Sequence, residues 1–149
     1  MPKIAQSAMQ TWRSFIRAKA EIRRVIHREL RARGLTGAQL DILRVLAESG
    51  SEGVKLNEIS QRLYVTSGNI TGLIDRLEEA GHLARVPHTE DRRITLAVLT
   101  PGGRAIFEQL YPSHISRVNM LLSALTPEEQ NMLAGLLVRI ADRAAEMNH

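Results

Sequence analysis

Apolar residues recur at helical spacing through the first half of the chain, and each long stretch ends at a glycine that stops a helix. Gly34, Gly50 and Gly81 are these stops. Thr36 is placed to cap the second stretch, and SEGVK, residues 51–55, is predicted to be a loop. The spacing therefore predicts four helices, over residues 8–33, 36–49, 56–64 and 68–80.

The period then changes from that of a helix to that of a strand. Residues 82–87 and 93–99 alternate as two strands, and PHTEDR between them holds turn-forming and charged residues. In the second strand one face carries the apolar side chains of Ile94, Leu96 and Val98. This pattern predicts a single β-hairpin with a charged tip.

Two more helices are predicted after the hairpin. Thr100 and Pro101 give an N-cap followed by proline at the first helical position, which opens a helix to about residue 124. Pro112 falls inside this helix and is expected to kink it. Thr126 and Glu129 have the spacing of a capping box and open the last helix. The apolar stripe of the last helix consists of Met132, Leu133, Leu136, Leu137, Ile140 and Ala144.

The order of these elements predicts a mainly α-helical fold with one β-hairpin. A short helix, a three-residue turn, a second helix and a hairpin together form a winged helix-turn-helix, in which the second helix is the recognition helix and the hairpin is the wing. At 149 residues the chain is expected to be one domain. Residues 36–100 would form the winged lobe, and the long helices at 8–33 and 101–147 would lie outside it.

The charge of the chain favours duplex DNA among nucleic acids. The formal net charge is +4, and 17 of the 20 basic residues are Arg, whose guanidinium forks onto phosphates and guanine edges. A genome biased toward Arg codons explains the same count. Five scattered aromatic residues argue against stacking on single-stranded bases. Between Arg13 and Arg33 there are eight basic and two acidic residues, which form either a solvated helix face or a source of attraction to phosphates.

The composition excludes several chemistries. The chain has no Cys, so disulfides, thiolate nucleophiles and cysteine-based metal sites are absent. The five His residues lack the spacing of a zinc site. No apolar run is long enough to cross a membrane and the N-terminus lacks a signal-peptide pattern, so a cytoplasmic location is expected. Neither a metal nor a cofactor is expected.

The predicted recognition helix has one apolar face and one face with unusually small residues. The apolar face, expected to pack on the core, holds Ile70, Leu73, Ile74 and Leu77. Gly68 and Gly72 lie opposite, although each glycine inside a helix costs roughly 1 kcal/mol relative to Ala. Their presence indicates close approach to a DNA groove, and a loosely selected solvent face is the alternative. The residues predicted to face DNA are Ser67, Gly68, Asn69, Thr71, Gly72 and Arg76.

The wing is predicted to contact DNA through Asp91, Arg92 and Arg93 at its tip. The segment from Lys55 to Arg93 carries six basic and six acidic residues, whereas a surface that contacts phosphates should be positive. The conflict is resolved if the acids are internal partners, with Asp91 fixing Arg93 and Asp75 orienting an Arg of the wing. Solvated charges at the tip are the alternative.

Two stretches, VTSGNITGLIDRLEEAGHLAR and EDRRITLAVLTPGG, resemble the MarR (multiple antibiotic resistance regulator) family of bacterial transcription factors. The wing signature of that family, Asp-x-Arg, five residues and Leu-Thr, is matched by Asp91, Arg93, Leu99 and Thr100. The resemblance extends from about residue 10 to residue 145. It implies a homodimer built by the N- and C-terminal helices, with two winged lobes on the half-sites of a palindromic operator.

The resemblance also implies regulation by a small molecule. Effectors of the family are often small phenolic or lipophilic anions that bind between the dimer helices and the winged lobe. Trp12 and His27 are the candidates to line such a site, and each fits a core or surface position equally well. The cysteine-based peroxide sensors of the family are excluded because the chain has no Cys, and its zinc sensors are disfavoured by the sparse histidines.

We therefore expect a dimeric, sequence-specific regulator that binds a double-stranded DNA operator, a repressor released by a small effector. The chain lacks a nucleophile–base pair, a phosphate-binding glycine loop and a paired-His motif, so it is not expected to be an enzyme. The alternative is a non-catalytic winged-helix module for protein–protein interaction, because a fold does not dictate a function. Such a module has no need for two Arg at the wing tip.

Overall fold

The computed structural model describes residues 3–63 and 67–147, with side chains described from residue 6 onward and not at Ser67. In chain order the elements are α1 (Lys3–Ala32), α2 (Gly37–Glu48), β1 (Val54–Lys55), α3 (Leu56–Arg62), α4 (Ser67–Glu79), β2 (Leu83–Pro87), β3 (Thr95–Leu99), α5 (Pro101–Leu122) and α6 (Pro127–Glu146). The chain divides into two compact units, one ending at His114 and the other beginning at Ile115.

The helix starts predicted from threonine residues are confirmed. The backbone N–H of Gln39 donates to Thr36 Oγ1 at 3.2 Å and the N–H of Thr36 donates back to the Gln39 side chain at 2.9 Å, which completes a capping box. Thr126 and Glu129 form the same reciprocal pair ahead of α6. Thr100 caps α5 by accepting the N–H of Gly103 at 2.9 Å.

The predicted hairpin is confirmed in β2 and β3, but the prediction that residues 51–55 form a loop is wrong, because part of this segment forms a third strand of the sheet. β1 lies in the segment predicted to be a loop, and Val54 pairs antiparallel with Ala97 while Lys55 pairs with Leu96. The strand order is β1-β3-β2. A strand of two residues is too short to show strand alternation in the sequence. β1 could not be predicted from its own residues, because its partner β3 lies more than forty residues away in sequence.

The face of β3 that packs on the core is the one that carries Ala97. Ala97 is fully buried, whereas Leu96 and Val98 are only half-buried. Gly53, with φ +76°, brings the preceding loop against the Leu96 and Val98 side. A Cβ on Gly53 would lie 2.8 Å from Val98 Cγ1. Leu96 and Val98 therefore pack against the loop at Gly53, whereas the smaller Ala97 packs on the core.

The hydrophobic core lies entirely in the unit that ends at His114. The apolar face of α4 is buried as predicted, through Ile70, Leu73, Ile74 and Leu77. The other core residues are Leu30, Leu35, Leu40, Ile42, Leu43, Val45, Leu46, Val54, Ile59, Leu83, Ala97 and Leu110. This core fixes which side of α4 remains open to a partner. Within the described residues, no helix is long and apolar enough to cross a membrane.

The unit that begins at Ile115 has no core of its own among its described residues, since none of residues 115–147 is buried. Its helix α6 leaves its apolar stripe exposed, with 46% of Leu136 and 54% of Ile140 accessible. Exposed apolar side chains at helical spacing are typical of a surface that another chain covers.

Candidate nucleic-acid interface

The side of α4 that points away from the core is open. Gly68 and Gly72 are both exposed, and a Cβ added to either would meet no heavy atom within 4 Å. Packing inside the chain therefore does not require either glycine. Asn69, Thr71 and Arg76 are exposed on the same helix. Five of the six recognition-helix candidates thus lie on exposed parts of α4, and the side chain of the sixth, Ser67, lies outside the described residues.

The tip of the wing is an ordered turn closed by backbone and side-chain hydrogen bonds. The N–H of His88 donates to the carbonyl of Ile94, and the N–H of Ile94 donates to the carbonyl of Asp91, both at 2.9 Å. His88 Nδ1 accepts the N–H of Glu90 at 3.2 Å. The polar side chains of His88 and Asp91 help to close this turn, because they accept the backbone N–H groups of Glu90 and Arg93.

The predicted pairing of Asp91 with Arg93 is present. Asp91 Oδ1 accepts the backbone N–H of Arg93 at 3.0 Å and its Nε at 3.1 Å, and Oδ2 accepts Nη2 at 3.2 Å. The side-chain hydrogen bond from Arg93, followed by its backbone N–H, lowers the pKa of Asp91. The side chain of Arg93 is nevertheless 91% exposed, against 37% for Asp91. Arg92 beside it is also exposed.

An Arg of the wing also binds Asp75, and this residue is Arg85 in β2. Arg85 Nη2 lies 2.5 Å from Asp75 Oδ1, and Arg85 Nη1 contacts Glu78 Oε2. Hydrogen bonding to Asp75 is the main cause that raises the pKa of Arg85. The sequence indicated that Asp75 has a partner in the wing, but the strand register was needed to identify it.

Ion pairs within the chain account for most of the acidic residues between Lys55 and Arg93, a segment expected to be positive if it contacts phosphates. Four of the six acids between Lys55 and Arg93 take part in ion pairs, namely Glu58, Asp75, Glu78 and Asp91. At the tip it is the cation that projects into solvent while the acid is partly covered. The segment is formally neutral, but its positive charge is presented outward at the wing tip.

The two effector candidates on α1 are not brought together by the chain. Trp12 is 56% exposed and stacks on Phe15 with ring centroids 5.9 Å apart. His27 is half-buried beside Gly37, whose Cβ would lie 3.6 Å from His27 Nε2. Burial, and then the charge of Arg23 and of Arg31, lowers the pKa of His27. On one straight helix the two candidates are separated by about 22 Å of rise.

An open groove of about 790 Å³ runs along one face of α1. It is lined by Ile16, Lys19, Ala20, Arg23, Arg24, His27, Arg28 and Arg31. His27 belongs to this groove and Trp12 does not. Five of the eight basic residues between Arg13 and Arg33 are among these lining residues, which follow helical spacing along α1. No group of three or more His, Cys, Asp or Glu suited to a metal ion occurs in the described part of the chain.

Comparisons with known proteins agree with this geometry. The sequence profile of the MarR family matches residues 33–94. The helix-turn-helix-type transcriptional regulator YkoM of Bacillus subtilis is 34% identical over 132 residues, which cover 89% of this chain and 84% of that protein. The chain belongs to the MarR family. The resemblance found in its sequence is thereby confirmed.

Other regulators are similar to the chain in sequence or in structure. The transcriptional repressor MdtR of Bacillus subtilis is 35% identical over 111 residues, covering 74% of this chain and 70% of that protein. The crystal structure of Sco3205, a MarR-family regulator of Streptomyces coelicolor in complex with DNA, superposes with a TM-score of 0.83 at 27% identity and covers 90% of this chain and 85% of that one. BpsR of Bordetella bronchiseptica, whose DNA binding is regulated by 6-hydroxynicotinic acid, gives a TM-score of 0.79 at 26% identity, with 87% and 91% coverage. The winged-helix fold of this MarR-family protein is thus that of its relatives.

Proposed function

We propose that this protein is a dimeric, sequence-specific regulator of transcription that binds a palindromic duplex DNA operator, acts as a repressor and is released by a small effector. The observation that carries the proposal is Arg93, whose guanidinium is held by Asp91 although 91% of its side chain is exposed. A cation that is ordered in advance and left uncovered is suited to the narrow, negative minor groove of DNA. The relative Sco3205, solved in complex with DNA, supports this reading.

The open side of α4 is proposed to enter the major groove. Gly68 and Gly72 leave room for the helix backbone to approach the base edges, because no side chain stands between them and a partner. Asn69 is suited to adenine, and the methyl group of Thr71 to the methyl group of thymine. Arg76 and Arg92 are exposed and lie within the proposed interface, where they would contact phosphates or guanine.

A second copy of the chain is proposed to cover the exposed apolar residues of the long helices. In α1, 56% of Trp12 and 46% of Ile22 are accessible, and in α6, 40% of Leu137 is accessible. We expect an obligate dimer, whose interface buries about 2,000 Å² or more of accessible surface in total. Sedimentation equilibrium at micromolar concentration should therefore give twice the chain mass. A monomer at every concentration would contradict the dimer.

The effector is proposed to be a small phenolic or lipophilic anion that binds in the α1 groove. The lining of this groove is rich in Arg and includes His27, and the relative BpsR responds to an aromatic acid. We expect 4-hydroxybenzoate or 6-hydroxynicotinic acid, used as probes, to dissociate the DNA complex of the wild type. Arg23→Gln should weaken this response more than Arg13→Gln, which changes an Arg of the same helix outside the groove. Equal dissociation of DNA from the two variants at the same effector concentration would contradict binding of the effector in this groove.

Binding to DNA itself is tested with the region upstream of the gene for this protein. Fluorescence anisotropy should show binding to that duplex at least about 1,000-fold tighter than to a scrambled duplex of equal length and composition. Equal affinity for the two duplexes would contradict sequence-specific regulation and would favour the protein-interaction alternative.

A further inference from the structure

We infer that Arg85 is a positioning residue for DNA recognition, which ties the recognition helix α4 to the wing strand β2 so that both meet DNA at a fixed relative position. The inference rests on the proposed function in one respect, namely that α4 and the wing read the same DNA. It assigns a role to a side chain that is only 25% exposed and that need not touch DNA.

The register of the sheet directs Arg85 toward α4. Arg85 pairs directly with Ala97 across β2 and β3, and residues opposite each other in antiparallel strands project from the same face. Ala97 is fully buried, so Arg85 lies on the face of the sheet that packs on the core. The short side chain of Ala97 leaves space on this face for the longer Arg85.

Arg85 joins the two elements through more than one contact. Asp75 and Glu78 are three residues apart on α4 and therefore lie on the same side of the helix, and the guanidinium binds both. In addition, the backbone N–H of Arg85 donates to Glu78 Oε1 at 3.1 Å. Because β2 is an edge strand in the order β1-β3-β2, this carboxylate supplies an acceptor that no neighbouring strand provides.

The contacts of Arg85 lie between the two elements that are proposed to bind DNA, the recognition helix α4 and the wing. Thr71 precedes Asp75 by four residues, so the two lie on the same side of α4. At its other end, β2 leads into the turn that carries Arg93. A rotation of α4 or a lateral shift of the wing would break both ion pairs of Arg85. The link therefore sets the spacing between base recognition by Thr71 and groove binding by Arg93.

Arg44 provides a matched control for the loss of an Arg that bridges two acids. Its side chain is 28% exposed and lies 3.7 Å from Asp41 and 2.8 Å from Glu48. All three residues belong to α2, so this bridge stays within one helix. Arg44→Met and Arg85→Met remove the same charge and leave the same number of carboxylates, but only the second breaks a link between the helix and the wing.

The first arm of the test is affinity, measured for a duplex selected by the purified protein from random-sequence DNA and for a scrambled duplex of equal length. We expect Arg85→Met and Asp75→Asn each to lower the selected-over-scrambled affinity ratio by about fivefold or more, and Arg44→Met by less than about twofold. Asp75→Asn removes a negative charge from the recognition helix, so simple charge attraction predicts tighter binding. Tighter binding of the selected duplex by Asp75→Asn would overturn the inference.

The second arm is a double-mutant cycle between Arg85 and Arg93. If Arg85 holds the wing in place, Arg93 is misplaced in Arg85→Met, and Arg93→Ala should then cost at least about threefold less affinity than it does in the wild type. Independent effects, in which Arg93→Ala costs the same in both backgrounds, would overturn the inference. Circular dichroism and thermal unfolding confirm that each variant is folded, and Arg85→Lys retains the charge if Arg85→Met does not fold.

The third arm needs no DNA. In the free protein, amide hydrogen exchange in β2 and the wing turn should be faster in Arg85→Met than in the wild type and in Arg44→Met. Unchanged exchange in the wing would overturn the inference whether or not the protein binds DNA. Conversely, faster exchange in a protein whose wild type selects no DNA would reject the proposed function and leave the link between α4 and β2 standing.

Discussion

Replacing Asp91 by Ala raises the charge of each chain by one unit, and we nevertheless expect it to weaken operator binding. Asp91 holds Arg93 through the backbone N–H at 3.0 Å, Nε at 3.1 Å and Nη2 at 3.2 Å. Without these bonds the Arg93 side chain, already 91% exposed, is free to sample many rotamers. DNA must then order it at the moment of binding.

The cost of ordering exceeds the gain in attraction. Immobilising a long side chain at an interface costs about 0.5–1.5 kcal/mol, or about 2- to 12-fold in affinity per wing. Removing one negative charge roughly 8 Å from a phosphate gains less than this, because attraction over that distance is weak in water and is screened further at physiological salt. The net effect of Asp91→Ala is therefore weaker binding.

A salt series separates this effect from the loss of a phosphate-binding cation. In Asp91→Ala the slope of log K against log salt should stay at the wild-type value, because Arg93 still displaces its counterion. In Arg93→Ala the slope should flatten by roughly 1 per chain, or about 2 per dimer. Arg92→Ala should flatten the slope similarly but cost less affinity, because Asp91 orders Arg93 in advance. Fluorescence anisotropy with the selected duplex provides both quantities.

Glu90→Ala is the matched control. Glu90 is an exposed acid beside Asp91 in the same turn, so its removal changes the charge equally while the hydrogen bonds from Arg93 to Asp91 remain. We expect Glu90→Ala to bind the operator as tightly as the wild type or slightly more tightly. Should Asp91→Ala behave like Glu90→Ala and bind more tightly at every salt concentration, charge attraction alone would suffice and the ordering of Arg93 would have no role.

Three further predictions concern the recognition helix and α1. Asn69→Ala and Thr71→Ala should each weaken binding to the selected duplex by about 1–3 kcal/mol and leave binding to scrambled DNA nearly unchanged, measured by anisotropy; equal losses on both duplexes would exclude base recognition. Gly72→Leu should abolish operator binding while thermal unfolding shows a fold at least as stable, since a Cβ there meets no atom within 4 Å and Leu favours helix over Gly by about 0.8 kcal/mol; retained binding would contradict close approach to the groove. Burial lowers the pKa of His27, so the unfolded chain binds more protons than the folded chain as pH falls through the ordinary His range. The free energy of unfolding should therefore decrease over that range and level off below the lowered pKa of His27. Urea unfolding between about pH 7.5 and pH 5.5 should show a weaker decrease in His27→Gln, and identical pH profiles would contradict it.

The parts of the fold that depend on local periodicity were predictable from the sequence. The buried face of α4 follows from apolar residues three and four positions apart, and Ile70, Ile74 and Leu77 are buried as expected. The caps at Thr36 and Thr126 depend on residues only three positions away. For the two caps the stabilising partner lies within one helical turn, and for α4 the buried face follows from spacing along the same helix, so both features can be read from the local sequence.

The parts that depend on distant partners were not predictable. β1 is defined by its pairing with β3, and its two residues are too few to show the alternation typical of a strand. The alternation in β3 does not show by itself which face packs on the core, and the structure shows that it is the face of Ala97, which is fully buried, while Leu96 and Val98 are half-buried. For the candidate site, Asp91 and Arg93 are close in sequence and their pairing was foreseen. The partner of Asp75 could not be chosen among the arginines of the wing until the register placed Arg85 opposite Ala97.

The central claim, that two copies of this chain read a palindromic duplex, is tested most directly by selection from random-sequence DNA with the purified wild-type protein. We expect the recovered duplexes to share an inverted repeat whose half-site centres lie about one helical turn, roughly 10 bp, or a multiple of it apart. We also expect one dimer to bind each duplex. Recovered duplexes with no shared inverted repeat, bound no more tightly than the starting pool, would contradict it.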